Sequence, residues 1–129
     1  MQKILIIDDD DLIRQLYQEE LSRAGFTVES FSSGKECLQA LASNHYDLLL
    51  LDIMLPDTNG LDILKAVKSD DRTRNILVIM LTNLGQDAII QEGFKLGAEG
   101  YLIKASLTPN QVVQEIKNIV KTKELKSPA

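Results

Sequence analysis

The chain has 129 residues, 44% of them hydrophobic and 26% charged, which is typical of a single globular domain with a buried core. Its formal net charge of −5 argues against direct binding of nucleic acid, because phosphate backbones are bound by clustered Lys and Arg. With one cysteine, Cys37, no signal peptide and no apolar run long enough to cross a bilayer, the sequence predicts a cytoplasmic protein without membrane contact.

Five short apolar runs alternate with segments whose apolar residues recur at helical spacing. The runs predict strands over residues 3–7, 27–31, 47–51, 76–81 and 100–103. Gly25 and Gly97 follow the first and fourth helical segments, where a left-handed residue is favoured at a helix end. Thr108 and Pro109 predict the N-cap and the first turn of the fifth helix.

Strict alternation of strands and helices predicts parallel strands joined by right-handed crossovers, with helices on both faces of the sheet. The expected fold class is therefore α/β, a doubly wound five-stranded parallel sheet with five helices. The third and fourth runs are apolar almost throughout, as central strands are, whereas the second contains Thr27, Glu29 and Ser30 and is expected at an edge. The apolar helical pattern is lost late in the chain, so we predict a domain over residues 1–122 and a tail or truncated linker over 123–129.

Polar side chains follow four of the five predicted strands. They are Asp8 and Asp9 after the first strand, Asp52 after the third, Thr82 after the fourth and Lys104 after the fifth. In an open α/β sheet, ligands bind outside the carboxyl ends of the strands. If the strand order is 2-1-3-4-5, the first and third strands are neighbours, and their three carboxylates converge.

Carboxylates that converge in a cleft repel one another, which predicts either a bound cation or a proton held by one of them. Acidic oxygens without His or Cys are ligands that Mg²⁺ prefers, together with waters and phosphate oxygens. Asp52 beside such an ion can attack phosphorus, since the metal screens the repulsion between two anions. Thr82 would donate its hydroxyl to one phosphoryl oxygen and Lys104 would pair with another. These residues predict a phosphoryl-transfer site.

The same residues resemble the motifs of the response-regulator receiver domain of two-component signalling. The matching segments are KILII with Asp8 and Asp9, LLLLDIMLPDTNG around Asp52, VIML before Thr82 and YLIK ending in Lys104, within a stretch from residue 3 to about residue 121. The resemblance implies the flavodoxin-like strand order 2-1-3-4-5, which is known for a chemotaxis member of this family. It also implies a phospho-accepting regulatory domain that assists only its own phosphorylation and slow autodephosphorylation, and not a turnover enzyme.

The resemblance assigns a role to each matching position. Asp52 would be the phospho-acceptor and, with Asp9, a direct Mg²⁺ ligand. Asp8 would act on the ion through water, and Met54 through its backbone carbonyl. Tyr101 matches an aromatic switch position that turns inward on phosphorylation.

The resemblance also implies partners. The phosphoryl donor would be a phosphohistidine on a sensor histidine kinase or on a histidine phosphotransfer protein. Gly85 and Gly93 flank or interrupt the fourth helix and make it marginal, as a switching element must be. We therefore predict that the fourth helix, fifth strand and fifth helix form the output surface for a downstream protein or effector domain, or for a homodimer that forms on phosphorylation.

The chain departs from the family pattern at a few positions. The family usually has proline after the conserved lysine, joined by a cis bond, whereas Ala105 follows Lys104 here. A cis bond without proline costs about 2.5 to 4 kcal/mol, so we expect either a trans bond with a reshaped loop or a strained cis bond. Asn59 replaces the more frequent Asp and forms a favourable Asn-Gly turn pair. The apolar Met54 and Leu84 stand where side chains influence access of the hydrolytic water, which predicts slow autodephosphorylation.

Other functions share parts of this pattern. A phosphatase of the haloacid-dehalogenase type also uses a strand-end Asp with Mg²⁺, but it needs a second Asp two residues later, where this chain has Met54. A nucleotide or flavin binder needs a Gly-rich or hydroxyl-rich loop after the first strand, and four aspartates stand there instead. A scaffold pseudo-receiver would lack part of the acidic set. The phosphatase and the scaffold are the alternatives to the phospho-acceptor.

Overall fold

The computed structural model describes residues 2–83 and 87–126, with side chains in the last helix described to residue 122. Five strands and five α-helices alternate along the described residues. The strands are β1 Lys3–Ile7, β2 Thr27–Phe31, β3 Leu48–Asp52, β4 Leu77–Thr82 and β5 Gly100–Ile103. The helices are α1 Asp11–Arg23, α2 Gly34–Ser43, α3 Gly60–Ser69, α4 Asp87–Lys95 and α5 Pro109–Lys126, and one 3₁₀ turn, Lys104–Ser106, links β5 to α5.

The strands form one parallel sheet in the order β2-β1-β3-β4-β5. Apolar side chains of α2, α3 and α4 pack on one face of this sheet, and those of α1 and α5 pack on the other. The central strands β1, β3 and β4 are buried on both faces, since alternate residues of each belong to opposite cores. The predicted fold class, the strand order and the edge position of β2 are confirmed.

Two strands were predicted one residue too early along the chain. We expected strands over residues 47–51 and 76–81, whereas β3 ends at Asp52 and β4 ends at Thr82. Both polar residues still pair with the neighbouring strand, Asp52 opposite Leu81 and Thr82 opposite Ile103. The hydrogen-bonded ladder thus continues for one residue beyond the last apolar side chain, and it holds these two polar residues on rigid strands.

The predicted helix ends are confirmed. Gly25 and Gly97 have positive φ angles of 101° and 107°, the region that favours glycine. Thr108 accepts a hydrogen bond from the Gln111 N–H at 3.2 Å, and the Gln111 side chain accepts one from the Thr108 N–H at 2.9 Å. This reciprocal pair fixes the start of α5 directly after the loop that follows Lys104.

Some sequence predictions fall on residues outside the described part of the chain. Leu84 and Gly85 lie in the gap between β4 and α4, and the predicted tail over residues 123–129 lies beyond the last described side chain. Helix α5 has described backbone to Lys126. None of the helices in the described ranges is long and apolar enough to span a bilayer.

Candidate functional site

The carboxyl ends of β1 and β3 bring three acidic side chains together. Asp8, Asp9 and Asp52 each offer a carboxylate oxygen, and these atoms lie within 4.8 Å of one another. Asp8 is fully buried and Asp52 is 4% exposed, whereas Asp9 faces solvent. The cluster is thus open on one side, where a ligand reaches it from solvent.

The four consecutive aspartates after β1 have different contacts, because the chain turns there from strand into helix. Asp8 points into the site, and its Oδ1 accepts the Asp10 N–H at 3.0 Å. Asp10 is the N-cap of α1. Arg14 donates to the Asp8 backbone carbonyl at 2.8 Å and pairs with Asp11 at 2.7 Å. Arg14 therefore organises the acidic loop, a role that the sequence analysis missed.

Lys104, the first residue after β5, lies between the two buried acids. Its Nζ is 2.7 Å from Asp8 Oδ2 and 3.0 Å from Asp52 Oδ2, and its side chain is only 9% exposed. One ammonium group thus faces two buried carboxylates, in a cluster that also contains the exposed carboxylate of Asp9. The cluster has a negative balance and favours a further cation.

Burial and charge change the proton affinities of this cluster. Burial raises the pKa of Asp52 to about 6 from an ordinary value of 3.8; Lys104 opposes the shift and the Asp8 charge adds to it. Burial alone would lower the pKa of Lys104, but its hydrogen bond to Asp8 and the charges of Asp52 and Asp8 raise it. At neutral pH the lysine is therefore protonated and Asp52 is ionised but poorly solvated.

Thr82 brings a hydroxyl to the same edge of the sheet. It is 6% exposed, and its Oγ1 has no hydrogen-bond partner among the described residues. A buried hydroxyl without a partner costs free energy, because it has lost its bonds to water. This donor is available to an oxygen atom of a ligand.

The connection from β3 to α3 is held close to Asp52. A Cβ at Gly60 would collide with the Asp52 carbonyl oxygen and lie 2.7 Å from the Ile53 Cα. The Gly60 N–H donates to the Ile53 carbonyl at 2.6 Å, and Asn59 caps α3 by accepting the Leu61 N–H at 2.8 Å. The chain thus turns back immediately after Asp52, and Asn59 is accommodated as a helix cap.

Met54 lies two residues beyond Asp52 in this connection. Its N–H donates to Asp52 Oδ1 at 3.2 Å, and the residue is 77% exposed. Its backbone is therefore adjacent to the acidic cluster while its side chain is exposed to solvent.

The loop after Lys104 adopts the first of the two expected conformations. No cis peptide bond occurs in the described residues, so the bond between Lys104 and Ala105 is trans, and the 3₁₀ turn Lys104–Ser106 follows. An open cleft of about 400 Å³ beside the acids is lined by Asp9, Asp10, Ile13, Asn83, Lys104 and Ala105. Lys104 and Ala105 thus form one wall of the cleft.

Tyr101, the predicted switch residue, lies away from this cluster. It is 40% exposed and packs edge-on against Phe94 of α4, with ring centroids 5.8 Å apart and an interplanar angle of 80°. The side chain therefore faces outward, against the helix that follows β4.

The sequence matches the family model of the response regulator receiver domain over residues 4–117. It is 39% identical over 118 residues to the transcriptional regulatory protein GltR of Pseudomonas aeruginosa, and 34% identical over 119 residues to SrrA of Staphylococcus aureus. Each alignment covers 92% of this chain and 48% of the relative, so the chain spans about half the length of these relatives.

Solved structures give the same similarity. The chemotaxis response regulator CheY4 of Vibrio cholerae superposes with a TM-score of 0.86 at 29% identity, covering 92% of this chain and 98% of that one. The BeF3-activated receiver domain of DrrB superposes with a TM-score of 0.82 at 30% identity, covering 94% and 98%. The similarity thus extends over nearly the whole of both receiver structures.

Proposed function

Because this chain belongs to the response regulator receiver domain family, whose members are regulatory phospho-acceptor domains of two-component signalling, we propose that it is a switch phosphorylated on Asp52. The observation that carries this proposal is the position of Asp52, buried at a strand end with its carboxylate 3.0 Å from the Lys104 ammonium, which also contacts Asp8. A carboxylate held there is poorly solvated and pre-oriented, as a nucleophile should be.

The acidic cluster fits Mg²⁺, since it offers oxygen ligands alone and its charge balance is negative. Asp9 and Asp52 would hold the ion directly, Asp8 through water and Met54 through its backbone carbonyl. When bound, Mg²⁺ would screen the repulsion between the attacking carboxylate and the phosphoryl oxygens. The solvent-exposed position of Asp9 supports this assignment, because Mg²⁺ keeps several of its waters.

The transfer itself exchanges one bond for another. A bond forms between an Asp52 carboxylate oxygen and phosphorus as the bond from phosphorus to the donor's imidazole nitrogen breaks, and that nitrogen takes up a proton. Lys104 would then pair with a phosphoryl oxygen while it keeps its contact with Asp8, and the Thr82 hydroxyl would donate to another oxygen. Both groups stand at the site before the phosphoryl group arrives.

Acetyl phosphate tests the proposal. In buffer with Mg²⁺ we expect the intact mass to increase by one phosphoryl group, and we expect chelation with EDTA to prevent this gain, because the carboxylate cannot approach the phosphoryl oxygens unscreened. Hydroxylamine should remove the group, as it does from acyl phosphates. No adduct in Mg²⁺, or an adduct that EDTA leaves unchanged, would contradict the proposal.

The lifetime of the adduct tests the predicted slow autodephosphorylation. The exposed apolar side chain of Met54 supports this prediction, because it offers no group that could orient a hydrolytic water. After removal of the donor, the adduct is expected to persist for minutes or longer in Mg²⁺ buffer. Loss of the phosphoryl group within seconds would contradict slow hydrolysis and leave the phospho-acceptor proposal intact.

The output surface is proposed at α4, β5 and α5. The outward Tyr101 rests on Phe94 of α4, and a Cβ at Gly93 of α4 would collide with the Sδ and Cε atoms of Met80 in β4. Inward rotation of Tyr101 would remove this support from α4. We expect phosphorylation to change amide hydrogen exchange in α4, β5 and α5. Exchange in these elements that is insensitive to phosphorylation would contradict the proposal.

The proposed partners follow from the family. The donor would be a sensor histidine kinase or a histidine phosphotransfer protein, and the output surface would bind a downstream protein, an effector domain or a second copy of the chain. We also propose that the protein acts in the cytoplasm, without direct contact with nucleic acid or membrane. The receiver domain is proposed to comprise residues 1–122. Met54 stands exposed where a haloacid-dehalogenase-type phosphatase needs its general acid, so the switch is favoured over a phosphatase.

A further inference from the structure

Asp57, in the connection from β3 to α3, binds the start of a different helix. Its Oδ1 accepts the Gly34 N–H and its Oδ2 accepts the Lys35 N–H, both at 2.9 Å. These are the first two residues of α2, and the N-cap of that helix, Ser33, accepts only the Glu36 N–H. Asp57 therefore satisfies two helix donors that the local cap does not reach.

The connection also packs tightly on α2. A Cβ at Gly34 would collide with the Thr58 methyl group and lie 2.9 Å from Cδ1 of Ile63. The contact is thus backbone against side chain, with no room for a larger residue. The two N–H groups also hold the pKa of Asp57 below its ordinary value, so the carboxylate is ionised at neutral pH.

Asp57 is the middle of three attachments of this connection. At the first end, directly after Asp52, the Ile53 N–H donates to the backbone carbonyl of Leu81 at 3.1 Å. Leu81 is the residue of β4 that lies opposite Asp52. At the second end the Gly60 N–H donates back to Ile53 at 2.6 Å. Between these ends, among the described residues of the connection, the Asp57 carboxylate alone forms side-chain hydrogen bonds to an element other than β3 and α3, the two that the connection joins.

The same connection carries Met54, which would coordinate Mg²⁺ through its backbone carbonyl. A backbone carbonyl cannot be moved by rotating a side chain. The conformation of the loop therefore fixes the position of this ligand. Mg²⁺ demands near-octahedral geometry, which makes its affinity sensitive to small displacements of a ligand. We propose that Asp57 is a positioning residue for the metal site: its two hydrogen bonds to α2 hold the connection where the Met54 carbonyl can bind Mg²⁺. This inference rests on the proposed function.

A purely structural role for Asp57 predicts a different result. If Asp57 only capped α2, then Asp57→Asn would lower the stability of the fold and leave Mg²⁺ affinity unchanged. If it positions the connection, Asp57→Asn should weaken Mg²⁺ binding about tenfold, the lower end of the range for loss of a group that orients a metal ligand. Gly34→Ala disturbs the same contact from the side of α2 and should also weaken binding. Asp62→Asn removes an exposed carboxylate from the first turn of α3 and controls for charge.

The experiment titrates the full chain with MgCl₂ and no phosphoryl donor, and it follows backbone amide shifts by NMR to obtain the dissociation constant. The initial rate of labelling by acetyl phosphate is then measured against Mg²⁺ concentration. We expect weaker binding for Asp57→Asn and Gly34→Ala, a wild-type constant for Asp62→Asn, and a rate that recovers at saturating Mg²⁺.

Wild-type Mg²⁺ affinity in folded Asp57→Asn would overturn the inference and leave the proposed function standing. Thermal unfolding establishes that each variant is folded; should Asp57→Asn fail to fold, unchanged affinity in Gly34→Ala overturns the inference instead. A wild-type chain that binds no Mg²⁺, or is not labelled, would overturn the proposed function and this inference with it.

Discussion

Asp52→Asn is expected to accept no phosphoryl group from acetyl phosphate in Mg²⁺ buffer. The carboxamide is not a nucleophile, and the substitution also removes one of the proposed direct ligands of the ion. Intact-mass measurement compares this variant with Asp62→Asn, which makes the same chemical change at an exposed position in α3 and should be labelled like the wild type. An adduct of wild-type amount on Asp52→Asn would place the acceptor on another side chain and contradict the proposed site.

The same variant is expected to be more stable than the wild type at neutral pH in the absence of Mg²⁺. Burial raises the pKa of Asp52 to about 6 from 3.8, which means that the folded state disfavours the ionised carboxylate. A shift of this size corresponds to about 3 kcal/mol. This figure already includes the opposing effect of Lys104, and the asparagine amide reproduces only part of the contacts of the neutral acid, so we expect a net increase of about 1 to 2 kcal/mol in the free energy of unfolding.

The sign of the pH dependence follows from the raised pKa. The neutral acid of the wild type contributes stability that is fully present below the unfolded pKa and is lost as the pH rises through about 6. The gap between Asp52→Asn and the wild type should therefore be widest above about pH 7 and should close toward about pH 4. Urea unfolding at a series of pH values without Mg²⁺ measures this gap. A difference in the free energy of unfolding that stays constant with pH would show that burial does not raise the pKa of Asp52.

The fold was predictable because local and long-range signals agree in this sequence. Each apolar run is followed by a helical pattern, and the residues at the helix ends, such as Gly25 and Thr108, have the conformations that the chain needs there. The boundary errors at Asp52 and Thr82 have one cause. An apolar pattern stops at the last apolar side chain. Strand pairing depends on backbone hydrogen bonds, so it continues through the polar residue that follows.

The clustering of the site residues was predictable for a different reason. Parallel strands end at one edge of the sheet, so polar residues at or just after the ends of β1, β3, β4 and β5 meet whatever their distance in sequence. The strand order that makes Asp8 and Asp52 neighbours came from the family resemblance, because the patterns alone do not fix it. The sequence also left two conformations open for the bond after Lys104, and that bond is trans.

Contacts that cross between elements were not predictable. In the sequence, Arg14 is an ordinary charged residue of a helix and Asp57 is an ordinary turn residue. In the structure, Arg14 binds the backbone of the acidic loop after β1, and Asp57 binds the backbone at the start of α2. Nothing in their spacing distinguishes them from solvated residues, because the partner of each is defined only after the chain has folded. The Phe94 side chain under Tyr101 belongs to the same class of contact.

Lys104→Met is expected to be strongly destabilising in the absence of Mg²⁺. The substitution keeps an apolar stem of similar length but removes the ammonium that faces Asp8 and Asp52, which are both buried. Removing one partner from a buried ion pair costs about 3 to 5 kcal/mol, because the remaining charge has neither water nor a counter-ion. The pKa of Lys104 is raised, so the lysine is charged throughout the neutral range and the loss applies there in full. Urea unfolding in EDTA measures it.

Two further measurements distinguish lost charge compensation from lost packing. Mg²⁺ should restore part of the stability of Lys104→Met, since a bound cation supplies positive charge to the same carboxylates. The double variant Lys104→Met/Asp52→Asn should be more stable than Lys104→Met alone, because one of the two uncompensated charges is gone, and a double-mutant cycle gives the coupling free energy between the two residues. Zero coupling, together with no effect of Mg²⁺, would mean that Lys104 stabilises the site through its packing and not through its charge. In that case Lys104 would not be expected to exchange Asp52 for a phosphoryl oxygen as its charged partner.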